Sequence, residues 1–324
     1  MHVVVTGAAG FIGSHTCERL VAAGHRVTGI DAFDGYLYPA EVKRATAAEL
    51  AGLPGFRLVE ADICDRAAVA GAIDGGVDVV CHLAALAGVR PSLAEPLRYL
   101  RTNIEGTGVI VERMRAVGLS RLVFASSSSV YGARGGADLE AVAAFREDDP
   151  CLSPASPYAA TKRMNELQLS TYRDLFGLGV HALRFFTVYG PRQRPDMAIA
   201  KFTRAIARGE PIALFGDGTT RRDYTFIDDI VSGVVASIGA VSPGSYELIN
   251  LGGTHTTSLR ELVDLLERAI GRPAVIDWQP SQPGDVPVTY ASIDRARALL
   301  GYEPTTPPEV GIARYWAWCQ GRGA

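Results

Sequence analysis

The stretch His2-Val-Val-Val-Thr6, followed by Gly7-Ala-Ala-Gly10-Phe-Ile-Gly13, decides the fold of this 324-residue chain. A short apolar strand runs into a glycine-rich turn, and the segment Phe11–Ala23 then shows the pattern of a helix. Glycines at this spacing allow a tight turn, close approach of the backbone to a pyrophosphate and close packing of helix on strand. The stretch therefore predicts a dinucleotide-binding unit whose helix N-terminus faces the phosphates.

Apolar strand-like segments and amphipathic helix-like segments alternate through the first half of the chain. The candidate strands are His2–Thr6, Arg26–Asp31, Phe56–Glu60, Val77–Leu83, Arg121–Ser126 and Val180–Phe186. The candidate helices are Phe11–Ala23, Ala67–Asp74, Leu97–Ala116 and Pro157–Phe176. This alternation predicts an α/β fold with a Rossmann-type, doubly wound parallel sheet that is covered on both faces.

The rhythm of the sequence changes after Gly190. Pro191, Pro195 and Pro211 interrupt the pattern, and shorter mixed elements follow to the C-terminus. We expect a dinucleotide-binding domain over residues 1–187, with 223–240 packing back on it. Residues 188–324 then form mainly a smaller α/β substrate-binding domain.

Composition excludes several classes of protein. A net charge of −3 gives no electrostatic indication of nucleic-acid binding. No apolar run approaches the length of a membrane span. The five cysteines show neither a C-x-x-C pair nor zinc-ligand spacing, so we expect no metal site. Widely spaced cysteines and a chain that opens directly into a strand favour a reduced, cytoplasmic setting.

Polar side chains follow several of the predicted strands. Asp31 ends the second strand, where a carboxylate can accept hydrogen bonds from an adenosine ribose and repel a 2′-phosphate, so NAD is favoured over NADP. Asp62 and His82 follow or end the third and fourth strands, at the edge that lines the ligand crevice of such a sheet. Asp31 could instead cap a loop, and a histidine such as His82 is more often a core residue than a catalyst.

Tyr158 and Lys162 lie four residues apart and therefore share one helical face. The positive charges of Lys162 and of an oxidised nicotinamide would lower the pKa of Tyr158, so the phenolate could act as a general base at a carbinol. The serine run Ser126–Ser129 directly follows the fifth strand. A hydroxyl there could share the transferred proton, although a serine run also suits an ordinary turn.

Over nearly all of its length the chain resembles the extended short-chain dehydrogenase/reductases that modify nucleotide sugars. The shared motifs are Gly-x-x-Gly-x-x-Gly, the segment Ser127-Ser-Ser-Val-Tyr-Gly132 and the Tyr158/Lys162 pair. Asn103 matches the structural asparagine of that family, and Arg222 matches an arginine that binds the nucleotide diphosphate. The resemblance implies a bound NAD cofactor and a UDP-sugar substrate.

The motifs and the resemblance together define three sets of candidate residues. The catalytic set is Tyr158, Lys162, Ser127 and Ser128. The cofactor set is Gly7, Gly10, Phe11, Ile12, Gly13, Asp31, Asp62, Ile63, Leu83, Ala84, Ala85, Asn103, Tyr158 and Lys162. The substrate set is Arg90, Ser127, Ser128, Ser129, Thr187, Arg194, Arg222, Gln282 and Asp285. Gln282 stands where many relatives have an arginine, which weakens the expected second phosphate contact.

The residues before Val-Tyr-Gly distinguish the reactions of this family. Relatives that dehydrate dTDP-glucose carry Asp-Glu there, and relatives that decarboxylate UDP-glucuronate carry Glu, whereas this chain has Ser128 and Ser129. With no extra carboxylate, the resemblance implies oxidation and re-reduction only, which is epimerisation at C4 through a 4-keto sugar.

Two segments point to an acidic sugar. Arg184-Phe-Phe-Thr-Val-Tyr-Gly-Pro-Arg-Gln-Arg-Pro-Asp-Met197 and Tyr36-Leu-Tyr-Pro-Ala40 resemble segments of the UDP-glucuronate 4-epimerases. In those enzymes the residues matching Thr187 and Arg194 lie near the sugar carboxylate, and an arginine fork suits a carboxylate. The implied reaction is the reversible conversion of UDP-glucuronate to UDP-galacturonate. Arg192 and Arg194 could instead be charges of a surface loop.

Three alternatives remain at this point. A UDP-glucose/UDP-galactose 4-epimerase would share every motif except the carboxylate contacts, and a UDP-glucuronate decarboxylase would release CO₂ from the same substrate. A non-catalytic NAD-binding regulator would typically lack the Tyr/Lys pair.

The helices Leu97–Ala116 and Pro157–Phe176 resemble the pair that forms a four-helix dimer interface in this family. We therefore expect a homodimer. The apolar residues Met164, Leu167, Leu169 and Leu175 could equally be buried within one chain.

Overall fold

The computed structural model describes residues 1–132, 143–280 and 288–322. Its strands are β1 (His2–Thr6), β2 (Arg26–Asp31), β3 (Phe56–Glu60), β4 (Val79–His82), β5 (Arg121–Ser127), β6 (Gly179–Phe185), β7 (Thr187–Tyr189), β8 (Pro211–Phe215), β9 (Arg221–Arg222), β10 (Tyr224–Phe226), β11 (Tyr246–Leu251), β12 (Thr257–Ser258), β13 (Val275–Gln279) and β14 (Val288–Thr289). Its α-helices are α1 (Phe11–Ala22), α2 (Ala40–Ala51), α3 (Arg66–Ala72), α4 (Val89–Ala94), α5 (Pro96–Tyr99), α6 (Gly106–Ala116), α7 (Pro157–Phe176), α8 (Ala198–Arg208), α9 (Ile227–Ala240), α10 (Leu259–Ile270), α11 (Asp294–Leu300) and α12 (Pro308–Gln320).

Seven parallel strands form the main sheet, in the order β11-β6-β5-β4-β1-β2-β3. This confirms the predicted doubly wound α/β fold, and the predicted strands differ from the observed ones by at most two residues at an end. The strand order reverses at β1, because β2 and β3 lie on one side of it and β4 lies on the other. In open α/β sheets a ligand crevice forms outside the carboxyl ends of the strands at such a reversal.

The seventh strand of the main sheet was not predicted. β11 pairs in parallel with β6, from Tyr246 opposite Val180 to Leu251 opposite Phe185. Its sequence Tyr-Glu-Leu-Ile-Asn-Leu lacks the continuous apolar run of the central strands, because β11 lies at the edge of the sheet.

The helix α9 also returns to the main sheet, where it packs against α1. Val5 of β1, Ile230 of α9 and Leu251 of β11 belong to one continuous buried cluster. Residues beyond 187 therefore pack on the main sheet and supply its seventh strand. The predicted domain boundary at residue 187 stays a prediction.

The predicted helix Leu97–Ala116 is divided into three pieces. α5 continues into a π-helical turn over Leu100–Glu105, and α6 begins at Gly106. Asn103 lies within this wider turn and is buried. Short π-helical stretches often occur at functional sites, since they redirect side chains from a regular helix.

Three small sheets build the remainder of the fold. They pair β7 with β10, β8 with β13, and β9 with both β12 and β14. Helices α8, α10 and α12 pack around them. In the three described ranges, no helix is long and apolar enough to cross a membrane.

Candidate active site

A cleft of about 490 Å³ opens at the carboxyl ends of the main-sheet strands. That volume lies in the range of about 300–1,000 Å³ typical of small-molecule sites. Its wall runs from the glycine loop after β1, past the ends of β2 to β5, to α7 and the segment that follows β6.

The glycine loop forms one end of this cleft. Gly7 has φ +71°, and a side chain there would press on the backbone of Ala84, while a Cβ on Gly13 would clash with the carbonyl oxygen of Gly7. α1 begins at Phe11 after Gly10, and no side chain caps its N-terminus. The loop is therefore a backbone cradle with N–H groups at its rim, which fits the phosphates of a dinucleotide.

Asp31 lies buried in the cleft wall at the end of β2. Its carboxylate accepts hydrogen bonds from the backbone N–H groups of Ala9 (3.0 Å) and Phe33 (2.9 Å), which hold its orientation. Burial raises the pKa of Asp31, and the positive charge of Lys43 opposes that rise. Ala9 belongs to the glycine loop, so this carboxylate is fixed directly beside the predicted phosphate cradle.

Lys43 is a cleft-lining residue that was not predicted from the sequence. It lines the cleft from α2, where its Nζ donates to the carbonyl oxygen of Asp34 at 2.9 Å. Leu37 and Tyr38, from one of the segments singled out above, also line the cleft. No local motif marks Lys43, because it enters the site from a helix that the periodicity did not predict.

Most of the predicted cofactor residues line the same cleft. They are Gly7, Gly10, Phe11, Ile12, Gly13, Asp31, Asp62, Ile63, Leu83, Ala84, Ala85, Tyr158 and Lys162. Asn103 is the exception, since it does not line the cleft, and its contact with the cofactor stays a prediction. Its side chain is buried, accepting from Leu86 N (2.9 Å) and donating to Leu86 O and Thr161 Oγ1 (3.0 Å each). It ties the loop after β4 to α7.

His82 is a core residue, as the sequence suggested. Its ring nitrogens contact Thr6 Oγ1 at 2.6 Å and Thr107 Oγ1 at 3.1 Å, and burial lowers its pKa to about 3. Thr6 Oγ1 in turn accepts from Ala84 N at 3.1 Å. The neutral imidazole therefore connects β1 with α6, and the Thr6 hydroxyl connects β1 with the loop after β4.

Tyr158 and Lys162 enter the cleft from the first turns of α7. The helix begins with Pro157 after Ser156, whose hydroxyl accepts from Ala159 N at 3.1 Å. Burial raises the pKa of Tyr158, and a hydrogen bond with Ser127 and the charge of Arg194 oppose that rise.

The Lys162 ammonium is held by β5, and its effect on the Tyr158 phenolate stays a prediction. Its Nζ donates to the carbonyl oxygen of Ala125 at 2.7 Å and lies 4.9 Å from the ring centroid of Phe124. Burial lowers the pKa of Lys162 to about 7, and the carboxylate of Glu166 opposes that change. The ammonium is thus anchored to β5, while Ser127 and Arg194 lower the pKa of Tyr158.

The serine run forms the floor of the cleft beside Tyr158. Ser126 and Ser127 end β5, and Ser128–Tyr131 forms a single 3₁₀ turn. Ser127 Oγ accepts hydrogen bonds from the N–H of Ser129 (3.2 Å) and from its hydroxyl (2.9 Å). Ser127, Ser128 and Ser129 all line the cleft. The serine run therefore both forms a turn and contributes to the candidate active site.

The predicted carboxylate contacts Thr187 and Arg194 face the same cleft. The Nε and Nη2 of Arg194 donate to the two carboxylate oxygens of Asp196, at 3.0 and 2.7 Å. Arg192 is not among the cleft-lining residues, and its Nη2 bridges Glu18 (2.7 Å) and Glu49 (2.8 Å).

Two of the remaining substrate candidates, Arg90 and Arg222, are not brought into this cleft. The guanidinium of Arg90 lies 5.5 Å from the ring centroid of Phe215, and Arg222 Nη1 donates to the carbonyl oxygen of Arg221 at 2.9 Å. Neither arginine lines the cleft that holds Tyr158. Gln282 and Asp285 lie outside the described residues. No group of three metal-ligating side chains occurs in the part of the chain that the structure describes.

Comparison with known proteins gives a consistent result. Residues 3–252 match the model of the NAD dependent epimerase/dehydratase family. The chain is 40% identical to a UDP-glucuronate 4-epimerase of Thermodesulfobacterium geofontis, over 98% of this chain and 95% of that protein. These matches confirm the family resemblance seen in the motifs.

Solved structures extend the comparison. A UDP-glucuronic acid 4-epimerase of Bacillus cereus, in complex with UDP-glucuronic acid and NAD, is 36% identical with a TM-score of 0.91, covering 99% of this chain and 100% of that one. A UDP-glucose 4-epimerase of Thermotoga maritima with UDP-glucose is 29% identical with a TM-score of 0.87, covering 99% of each chain.

Proposed function

Because the chain belongs to the NAD dependent epimerase/dehydratase family, we propose that it is an NAD-dependent UDP-glucuronate 4-epimerase. It interconverts UDP-glucuronate and UDP-galacturonate through a 4-keto sugar. The observation that carries the proposal is Tyr158 beside Ser127, Ser128 and Ser129 in one cleft with Thr187 and Arg194. Relatives with full-length similarity that carry the same name support the substrate class.

The cofactor site fits NAD. The backbone cradle at Gly7 and Gly13 suits a pyrophosphate, and the Asp31 carboxylate at the end of β2 suits an unphosphorylated ribose. When bound, NAD⁺ accepts a hydride from the sugar carbon and returns it, so it is regenerated in every cycle. Gly10, Phe11, Ile12, Asp62 and Ile63 would hold it from the loop and strand ends, together with Leu83, Ala84 and Ala85.

Proton transfer falls to Tyr158. Its phenolate oxygen, held by Ser127, takes the proton from the sugar 4-hydroxyl as C4 is oxidised, and the hydroxyl so formed returns that proton when the keto sugar, after turning over, is reduced. In the free protein burial keeps Tyr158 protonated. The positive charge of NAD⁺ in this site, added to that of Arg194, would favour the phenolate form of Tyr158.

Serines, rather than carboxylates, at positions 128 and 129 favour epimerisation over elimination or decarboxylation. Among the described residues that line the cleft, the acidic ones are Asp31, Asp34 and Asp62, and these lie at the ends of β2 and β3 or in the loop after β2. Positions 128 and 129 are serines. Hydrogen bonds from Ser127, Ser128 and Thr187 to the sugar carboxylate would hold it out of alignment for loss of CO₂.

An NMR assay with NAD⁺ and UDP-glucuronate tests this proposal. We expect UDP-galacturonate to appear without CO₂, which a trapping assay would detect if the decarboxylase alternative held. Arg194→Ala should reduce turnover of UDP-glucuronate far more than Arg192→Ala, because only Arg194 lines the cleft. Equal activity of the two variants on UDP-glucuronate would remove Arg194 from the substrate site.

A second candidate is UDP-glucose/UDP-galactose 4-epimerase activity. The guanidinium of Arg194 is already paired with Asp196, which lowers its attraction for a sugar carboxylate. The similarity to the Thermotoga maritima UDP-glucose 4-epimerase points the same way. Conversion of UDP-glucose but not of UDP-glucuronate in the same assay would favour this candidate.

We also propose that the active protein is a homodimer. Leu97 is 77% exposed, and Leu167 and Leu175 on α7 are 55% and 67% exposed, whereas Leu169 is buried within the chain. Such a cluster of exposed leucines on neighbouring helices is typical of a helix-to-helix interface.

All five cysteines are free, four of them buried, which supports a reducing cytoplasmic location. Cell fractionation tests the location.

A further inference from the structure

Glu166 and Arg184 form a buried ion pair directly behind the cleft. Arg184 Nε and Nη2 donate to the two carboxylate oxygens of Glu166, at 2.8 and 2.9 Å, and both side chains are at most 1% exposed. Glu166 does not line the cleft. A buried ion pair contributes little net stability, since the loss of hydration offsets the attraction between the charges. Its position in the fold indicates another role.

The carboxylate of Glu166 also holds the end of β5. It accepts a hydrogen bond from Ser126 Oγ at 2.7 Å. The neighbours of Ser126 are Ala125, whose carbonyl oxygen binds the ammonium of Lys162, and Ser127, whose hydroxyl bonds Tyr158. Fixing Ser126 therefore fixes the two β5 groups that orient the catalytic pair.

Arg184 connects the same carboxylate to the substrate side of the cleft. It lies on β6, shortly before Thr187, and its Nη1 also donates to the carbonyl oxygen of Glu147 at 3.2 Å. Glu166 itself lies one helical turn after Lys162 on α7. The Glu166 side chain thus joins α7 and β5, which carry Tyr158, Lys162 and Ser127, to β6, which leads to Thr187.

We propose that Glu166 is a positioning residue for the Tyr158/Lys162/Ser127 constellation, holding β5 against α7 and placing a negative charge one turn from the Lys162 ammonium. This inference rests on the proposed function for its substrate. The groups near Lys162 are Glu166 on α7, His82 on β4, and the Phe124 ring and Ala125 carbonyl on β5. Glu166 is the carboxylate that raises the pKa of Lys162 against burial.

The test compares Glu166→Gln with the matched control Glu112→Gln. Glu112 is a partly exposed carboxylate on α6 that accepts from Arg115 Nη2 (2.7 Å) and the Tyr172 hydroxyl (2.5 Å), away from the cleft. We expect Glu166→Gln to lower kcat by about 10- to 100-fold, as a misplacement on the order of 1 Å does. KM should stay within about threefold, and activity at alkaline pH should fall at a lower pH, because the Lys162 ammonium loses its negative neighbour. Glu112→Gln should change none of these.

A double variant keeps the test decisive if Glu166→Gln alone does not fold. Glu166→Gln/Arg184→Met removes both charges of the Glu166–Arg184 pair, and the other arginine that contacts Glu166, Arg163, is 28% exposed, so the double variant should fold and should show the same loss of kcat. A folded variant of either kind with unchanged kcat and pH profile, or with a loss in KM alone, would overturn the proposal. If the wild-type protein converts only UDP-glucose, the substrate assignment fails, and the same comparison is made with UDP-glucose.

Discussion

The substitution Gly13→Ala tests whether the glycine loop is a cofactor cradle. A Cβ at this position would strike the carbonyl oxygen of Gly7, and the next atoms it meets are Gly7 C at 2.8 Å and Ala8 Cα at 3.1 Å. All three are backbone atoms, so no flexible side chain can move aside. Accommodation requires a shift of α1 away from the loop or of the loop into the cleft.

The magnitude follows from two opposing terms. Overpacking of this kind costs about 1–3 kcal/mol, and replacing a helical glycine by alanine returns about 1 kcal/mol. We therefore expect a net loss of up to about 2 kcal/mol in the free energy of unfolding. Affinity for NAD⁺ should fall more than tenfold, because a loss of ~1.4 kcal/mol in binding is a factor of ten and the loop carries several N–H groups.

Gly71→Ala is the matched control. Gly71 lies in α3, and a Cβ there meets no atom within 4 Å, so the change should stabilise the protein by about 0.5–1 kcal/mol. Calorimetric titration with NAD⁺ and thermal unfolding of both variants provide the measurements. Equal NAD⁺ affinity of Gly13→Ala and Gly71→Ala would refute the cradle.

Three further predictions concern catalysis, assembly and pH. Tyr158→Phe should lower kcat by about 10²–10⁴ with unchanged thermal stability, as loss of a general base does; activity near the wild-type level would point to another base. Leu97→Glu combined with Leu167→Glu should yield a monomer in light scattering, and a persistent dimer would place the interface elsewhere. Burial lowers the pKa of His82 in the folded protein to about 3, whereas in the unfolded protein it is near the usual 6.5. Between these two pH values the unfolded protein binds more protons, so the free energy of unfolding should decrease as the pH falls from about 6.5 to about 3. His82→Asn should remove up to about 1.4 kcal/mol per pH unit of this dependence, measured by urea unfolding at pH 4 to 7, where an unchanged slope would contradict the assignment.

The fold was predictable where local pattern and tertiary position agree. The central strands β1, β4 and β5 are buried along most of their length, so their sequences are mainly apolar runs, and the glycine loop marks its own turn. β11 was missed because an edge strand with Glu247 and Asn250 carries no such run. Its place beside β6 depends on a long-range pairing that no local window contains.

The candidate site was predictable only for residues carried by a motif. Tyr158, the serine run and the glycines came from short patterns, and all of them line one cleft. Lys43 entered from an unpredicted helix, and Asn103 proved to be a structural link with its side chain fully engaged. Such outcomes depend on which polar groups meet after folding, and spacing along the chain does not report that.

The partners of the charged residues required the structure. Lys162 binds the Ala125 carbonyl, and Arg194 pairs with Asp196, two residues further on. Arg192 and Arg194 look equivalent in the sequence, but only Arg194 lines the cleft. Arg194 is therefore the candidate for substrate binding, and Arg192 serves as the control residue.

The most direct test of the proposed reaction uses UDP-glucuronate carrying deuterium at C4, incubated with the protein and NAD⁺. The mechanism predicts UDP-galacturonate that retains the deuterium at C4 and keeps its carboxylate, because the hydride removed from C4 is returned to the same carbon. NMR of the product measures both features at once. A UDP-pentose, or UDP-galacturonate without the deuterium, would contradict epimerisation by oxidation and re-reduction at C4.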